Sequence, residues 1–218
     1  NPLAILSAKT NFILFLDSPP EEDILLPFFN TDLTKHPKYH CESWISIKNS
    51  SNHHVIEIGE KKIYIPVKDY SVLDLLFLYK GIIRGDVSHA GFIVTELWKQ
   101  IEKFSKSQKI EFVDRFSLLV LNNIDYVVGN PPWVNWEYLP KEYKKATEKI
   151  WQYYELFDYK GLNSVFIKED ISALITYIAI DNHLQKNGKI GFILKESLFK
   201  SSKQGAGFRK FYLPKSQT

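Results

Sequence analysis

The sequence predicts an α/β fold built around a parallel sheet, and three observations carry that expectation. Two apolar stretches, Leu118 to Val128 and Lys189 to Leu194, have the length and the Val, Leu and Ile content of strands covered on both faces. Stretches with helical periodicity, Ile171 to Leu184 among them, stand between and around them. The first of these apolar stretches stops at an asparagine followed by two prolines, which a strand cannot continue through. With 218 residues, 44% of them hydrophobic and 24% charged, the chain has enough apolar surface for one substantial core and is not disordered.

Taken in order, Asn1-Pro2 reads as an N-cap followed by proline at the first helical position. Leu3, Leu6, Phe12, Ile13 and Leu16 then continue an amphipathic helix to Asp17. Ser18 to Asp23 is a loop, and Ile24 to Phe29 a short apolar segment of helix or strand edge. Tyr39 to Ile47 reads as a strand running into a loop. VIEI and KKIYIPV, separated by Gly59-Glu60, predict a β-hairpin over Val55 to Val67. Ser71 to Tyr79 and Gly91 to Ser105 are expected to be helices, the second with Ile93, Leu97, Ile101 and Phe104 on one face. After the prolines, Lys141 to Leu156 is a charged helix rich in lysine and aromatics. Ile171 to Leu184 is an apolar helix closed by Lys186-Asn187-Gly188, and Lys189 to Leu194 is a second buried strand. No internal repeat, low-complexity tract or interdomain linker interrupts this order.

Charge and cysteine content narrow the function classes. A net charge of +3 and a pI near 8.7 permit a nucleic-acid partner without demanding one. The single cysteine, Cys41, excludes an intrachain disulfide and suits a reducing cytoplasm. No run of about 18 apolar residues is present, so no membrane span is expected. His36, His40 and Cys41 stand close together but lack a second ligand pair at zinc spacing, and no metal is expected.

The chemistry concentrates in DYVVGNPPWVNW, Asp125 to Trp136. Pro131 and Pro132 offer no N–H and lock their own φ, and Pro131 drives Asn130 out of the α region. The loop is therefore stiff and extended at the carboxyl end of a strand, where open parallel sheets bind ligands. It presents a side-chain amide oxygen, a proline carbonyl and an indole. An amino group on a planar heterocycle is a poor nucleophile because its lone pair is conjugated into the ring. Two acceptors for its N–H bonds favour the pyramidal, charge-developing geometry of attack. Asn130 and Pro131 can supply those acceptors, and Trp133 a face on which an unstacked base rests. The plainer alternative is a strand-ending turn with a core tryptophan.

The residues resemble the N6-adenine-specific DNA methyltransferases of bacterial restriction-modification and phage-defence systems, over nearly the whole chain. GNPPWVNWEYLPKEYKKATEKIWQYYELF is similar to that family's catalytic loop and the helix after it. DISALITYIAIDNHLQKNGKIGFILKESLFKSSKQGAGFRKFYLP resembles the next helix, strand and glycine-containing loop, and NPLAILSAKTNFILFL the helix that follows the cofactor-ribose acid. The resemblance implies a Rossmann-like class I S-adenosylmethionine-dependent methyltransferase fold, incomplete at the N-terminal side. Residues 1–218 would form a partial catalytic domain with an insertion over residues 57–110. It implies that Asn130 and Pro131 accept from the target amino group, that Pro132 holds the loop and that Trp133 stacks on a flipped adenine. Glu42 would bond the adenine of S-adenosylmethionine, Pro2 would pack beside it, and Asp170 would border its methionine end or serve simply as an N-cap. The family more often carries Asp where Glu42 stands.

The implied partner is double-stranded DNA, with restriction or defence-system subunits as further partners, in the cytoplasm and away from membranes. The family's glycine-rich loop and ribose-binding acid are expected upstream of Asn1, so the chain alone is expected to be inactive. Two other readings stay open: a non-catalytic DNA-binding or assembly subunit with this fold, and methyl transfer to RNA guanine or protein glutamine. Lys141, Lys144, Lys145 and Lys149 either meet phosphates or form a solvated face. Trp136, Trp151, Tyr153 and Tyr154 either line a base channel or pack in the core, the core being expected for at least half of them. Lys200 to Arg209 is either a basic loop that orders on DNA or an ordinary surface loop.

Overall fold

The computed structural model describes residues 31–40, 53–85, 87–157, 169–201 and 204–214. The chain divides into two compact units, Asn1–Leu121 and Asn122–Thr218. The helix expected at Asn1 to Asp17 and the segment at Ile24 to Phe29 lie outside the described residues.

In the first unit the hairpin forms. Strands β1 (His53–Ile58) and β2 (Lys61–Pro66) pair antiparallel with Ile58 opposite Lys61, so Gly59-Glu60 is a two-residue turn. Such a turn requires positive φ at its first residue, and Gly59 supplies it at 60°. Alternation sends Ile56, Ile58, Ile63 and Ile65 into the core and leaves Glu57, Lys62 and Tyr64 outside. Three helices cover the buried face: α1 (Val72–Arg84), α2 (Phe92–Ile101) and α3 (Lys106–Val120). The edge of β2 is closed by Gln100 of α2, whose amide accepts from Tyr64 N and donates to Tyr64 O, both at 3.1 Å. Arg115 of α3 donates to Glu57 O of β1 at 2.6 Å. Leu75, Leu78, Val94, Leu97, Ile101, Phe112 and Phe116 complete the core, with Tyr70 edge-on to Phe116 at 5.0 Å. The Tyr70 hydroxyl donates to Pro66 O at 2.7 Å, and burial pushes its pKa up to about 12.

Helix α3 corrects the expected strand, which was to run from Leu118. Leu118 and Val120 are instead the last buried positions of a helix that begins with a reciprocal capping box between Ser105 and Gln108. A short apolar run does not reveal its own period, and here the run joins the end of a helix to the start of a strand. Asn123, at φ 53°, makes the turn between them. A second correction concerns Tyr39 and His40, which end a 3₁₀ turn over Pro37–His40 where a strand was expected. Pro37 fixes a φ suited to such a turn.

The second unit holds the two strands that were expected to be parallel. β3 (Ile124–Gly129) pairs with β4 (Leu184–Phe192), in the register Tyr126 to Lys189 through Gly129 to Phe192. Between them run α4 (Lys141–Tyr153) and α5 (Ile171–His183), and a single turn of helix, α6 (Ser197–Lys200), follows β4. Lys186 to Gly188, expected to close α5, lie instead within β4: α5 ends at His183 with Leu184 as its C-cap, and Asn187, at φ 69°, stands where the ladder shifts register. The strands are less covered than their composition predicts: Tyr126 is 67% and Val128 80% exposed. Among the described residues no helix is long and apolar enough to cross a membrane.

Two outcomes follow for the first unit. Phe116 is fully buried, so Phe116→Ala is expected to destabilise by about 3–5 kcal/mol in denaturant unfolding. Burial, and after it the charge of Lys38, holds the His54 imidazole below its ordinary 6.5, and His54 Nδ1 has no hydrogen-bond partner among the described residues. The unfolded chain therefore takes up a proton that the folded chain rejects. Stability is kept above pH 6.5 and lost as pH falls below it. Thermal unfolding across that window should show the loss, and His54→Gln should flatten it.

Candidate active site

The two prolines cannot join a ladder, so their loop is held by what flanks it. On the strand side Ile193 N–H donates to Gly129 O at 3.1 Å, extending the β3–β4 ladder one residue past its end. The Trp133 indole N–H then donates back across the sheet to Ile193 O at 3.1 Å. On the far side the chain turns along the residues that precede α5. Ile171 N donates to Val134 O at 2.9 Å, Trp136 N donates to Glu169 O at 2.7 Å, and Asn135 forms an antiparallel bridge with Asp170. The loop is tied at both ends to regular structure, which pre-organises what it presents.

What it presents follows from the local backbone. Asn130 is exposed, and no described residue bonds its side-chain amide; Pro131 is buried, and no described residue donates to its carbonyl. Pro132 is exposed. Trp133 keeps 46% of its surface exposed although its N–H is fixed. The loop thus offers two free acceptors and one oriented aromatic face at the carboxyl end of β3.

A second set of contacts holds the floor. Asp170, fully buried, caps α5: Oδ1 accepts from Ser172 N at 2.9 Å and from Ser172 Oγ at 2.6 Å. Its Oδ2 accepts from Lys195 Nζ at 2.7 Å. The N-cap alternative for this residue is therefore what the structure displays. Glu169, 5% exposed, receives the Gly205 N–H on both carboxylate oxygens at 3.0 Å. Gly205 has φ 75°, and a Cβ there would stand 2.3 Å from Leu198 O, so only glycine fits. Gln204 donates to Asn135 Oδ1 at 3.3 Å, and Arg209 donates to the carbonyls of Leu198 and Gln204, each at 2.8 Å.

The structure brings Asn130, Pro131, Pro132, Trp133 and Asp170 into one neighbourhood. Pro2 and Glu42, the other residues assigned to the cofactor, lie outside the described residues. Arg209 of the expected basic loop is turned inward on backbone carbonyls, whereas Lys200 and Lys210 are exposed. In α4, Lys144 donates to Glu137 O at 2.8 Å and lies over the Trp136 ring, while Lys141, Lys145 and Lys149 are exposed. Trp151 and Tyr154 are fully buried, as expected for half of that aromatic set. Trp151 stacks on Phe157 at 5.0 Å, and Trp136 meets both edge-on. Glu169, Lys195 and Gln204 were not singled out from sequence; their partners stand 25 to 69 residues away. The available signal was the acidic pair before an apolar helix and a lysine just beyond a strand.

A polar cavity of about 520 Å³ opens in the first unit among Asp32, Lys35, Glu111, Asp114 and Arg115, and its lining includes none of the motif residues. Among the described residues no group of three or more His, Cys, Asp or Glu is arranged to hold a metal.

The geometry of Trp133 can be tested directly. Trp133→Phe keeps an aromatic face but removes the donor to Ile193 O, at an expected stability cost of about 1 kcal/mol. The ring also loses its fixed orientation. A drop in the thermal midpoint relative to wild type checks the first effect.

No curated protein and no solved structure matches the chain. A model of the Eco57I restriction-modification methylase family matches residues 4–218. That match includes every described helix, both parallel strands and the Asn-Pro-Pro-Trp loop between them, and the chain belongs to the Eco57I restriction-modification methylase family.

Proposed function

We propose that the protein transfers a methyl group from S-adenosylmethionine to the N6 amino group of an adenine flipped out of double-stranded DNA. The observation that carries this reading is the Asn130 amide: exposed, without a partner among the described residues, and three residues before an indole whose N–H is pinned and which keeps nearly half its surface exposed. Family membership supplies the methylase chemistry, and the Rossmann-like class I fold is the architecture that would carry it. The two described strands are parallel and present the loop at their carboxyl ends, in keeping with that architecture.

Trp133 would receive the unstacked base on its open face, holding the ring in register with the loop. Asn130 Oδ1 and the Pro131 carbonyl would accept the two N6–H bonds. As the nitrogen attacks, its lone pair leaves conjugation with the ring and it gains positive charge, which two fixed carbonyl dipoles stabilise. The bound cofactor supplies a methyl carbon already activated by a sulfonium. Two neutral acceptors suit such a partner, because the amino group needs orientation more than deprotonation before attack. Pro2 and Glu42 remain the proposed contacts to the cofactor's adenine. Asp170 would act at the pocket's border through its cap and its lysine, since both of its oxygens already accept hydrogen bonds.

The test counts methyl groups from labelled cofactor on DNA, RNA and protein, using the intact protein and its Asn130→Ala variant. Label on adenine N6, with turnover reduced about 100- to 1000-fold in the variant and cofactor affinity nearly unchanged, is expected. Equal turnover in Asn130→Ala would overturn the assignment. Label on RNA guanine or protein glutamine would move the substrate. DNA binding indifferent to cofactor, without any transfer, would mean a non-catalytic subunit.

A further inference from the structure

Lys195 stands two residues beyond Ile193, the residue that extends the sheet to Gly129 and receives the Trp133 indole. Its ammonium is held 2.7 Å from Asp170 Oδ2, and its side chain is 30% exposed. Asp170 Oδ1 is taken up by Ser172, so the carboxylate holds one ammonium proton. No described residue accepts the other two. Lys195 thus brings spare donors to the same strand ends at which Asn130 and Pro131 bring spare acceptors.

This arrangement differs from an ordinary surface lysine. Lys200, with a side chain 75% exposed, pairs with Glu196 one helical turn back and is free to follow a phosphate. Lys195 is drawn inward by a fully buried carboxylate and cannot swing far without leaving that charge unpaired. A held donor at the strand ends that carry these acceptors can read a pattern on a base edge. On adenine the amino group has N1 on one side, on its own ring, and N7 on the other, on the fused ring, both acceptors, so donor and acceptor alternate along the edge. Guanine carries an acceptor, O6, where the site offers acceptors. The partner carboxylate has a second consequence. A bare cation would oppose the positive charge that grows on the attacking amino nitrogen, and Asp170 offsets it.

Resting on the adenine reading above, we propose that Lys195 is a specificity-determining residue whose ammonium donates to one of the ring nitrogens, N1 or N7, that lie on either side of the amino group of the flipped adenine. Asp170 is its positioning residue.

The experiment uses the intact protein and a duplex containing the site it methylates. The target adenine is replaced in turn by 1-deazaadenine and by 7-deazaadenine, and single-turnover methylation is measured. One analogue is expected to slow the wild type about 10- to 100-fold, the range for a hydrogen bond to a charged donor. Lys195→Met should slow transfer to normal adenine by a similar factor, and the sensitive analogue should then cost it less than about twofold further. The double variant Lys195→Met with Asp170→Asn, which leaves no unpaired carboxylate, serves if the single variant does not fold. Wild type indifferent to both analogues overturns the proposal, as does an analogue that slows variant and wild type equally. A variant that binds all DNA more weakly with no analogue effect in the wild type identifies a phosphate contact and also overturns it. Failure of the wild type to methylate adenine at all would fall on the adenine reading instead, and is seen before any variant is made.

Discussion

The hydrogen bond from the Trp133 indole to Ile193 O is the constraint on which the candidate site depends. Two consecutive prolines remove the backbone donors that would otherwise dock a loop, so its position must come from side chains and from the residues on either side. The indole does this by reaching over the neighbouring strand. One bond fixes the plane of the ring, and the same residue's N–H continues the ladder to Gly129. Asn130 sits between those two anchors, which set where its backbone lies.

The remaining contacts of the second unit read as support for that geometry. Residues 134–136 borrow backbone partners from residues 169–171, and the first of those, Glu169, also holds the Gly205 N–H. The carboxylate beside it caps α5 and draws in Lys195 from beyond β4. Two adjacent acids therefore connect the loop, the helix, the strand and the following turn. Both are almost fully excluded from water, which makes each of these charge-assisted bonds strong when made and costly when broken. Chemistry that relies on orientation more than on acid–base groups needs this kind of rigidity.

The first unit has a different logic. Its hairpin buries four isoleucines on one face, and its edge strand is closed by a side-chain amide that copies the hydrogen bonds of a neighbouring strand. Arg115 does the same for a single carbonyl on β1. These contacts let a two-stranded element, marginal by itself, form one core with three helices.

Much of this was legible locally. The Gly59 turn, the Asp170 cap, the parallel strands and the stiff Asn-Pro-Pro-Trp loop follow from residue type at near-neighbour spacing. The end of α3 was not, because Leu118 to Val128 is apolar on either side of a turn and has no period of its own. The sequence by itself determined where the loop lies and which atoms it offers, since prolines, amides and indoles act through their own backbone and chemistry. Only the tertiary structure decided that the second oxygen of Asp170 would be spent on a lysine, that Arg209 would face inward, and that Lys195 would keep donors to spare at the strand ends that carry the acceptors. Those outcomes depend on partners brought together by chain crossings, and local spacing holds no record of them.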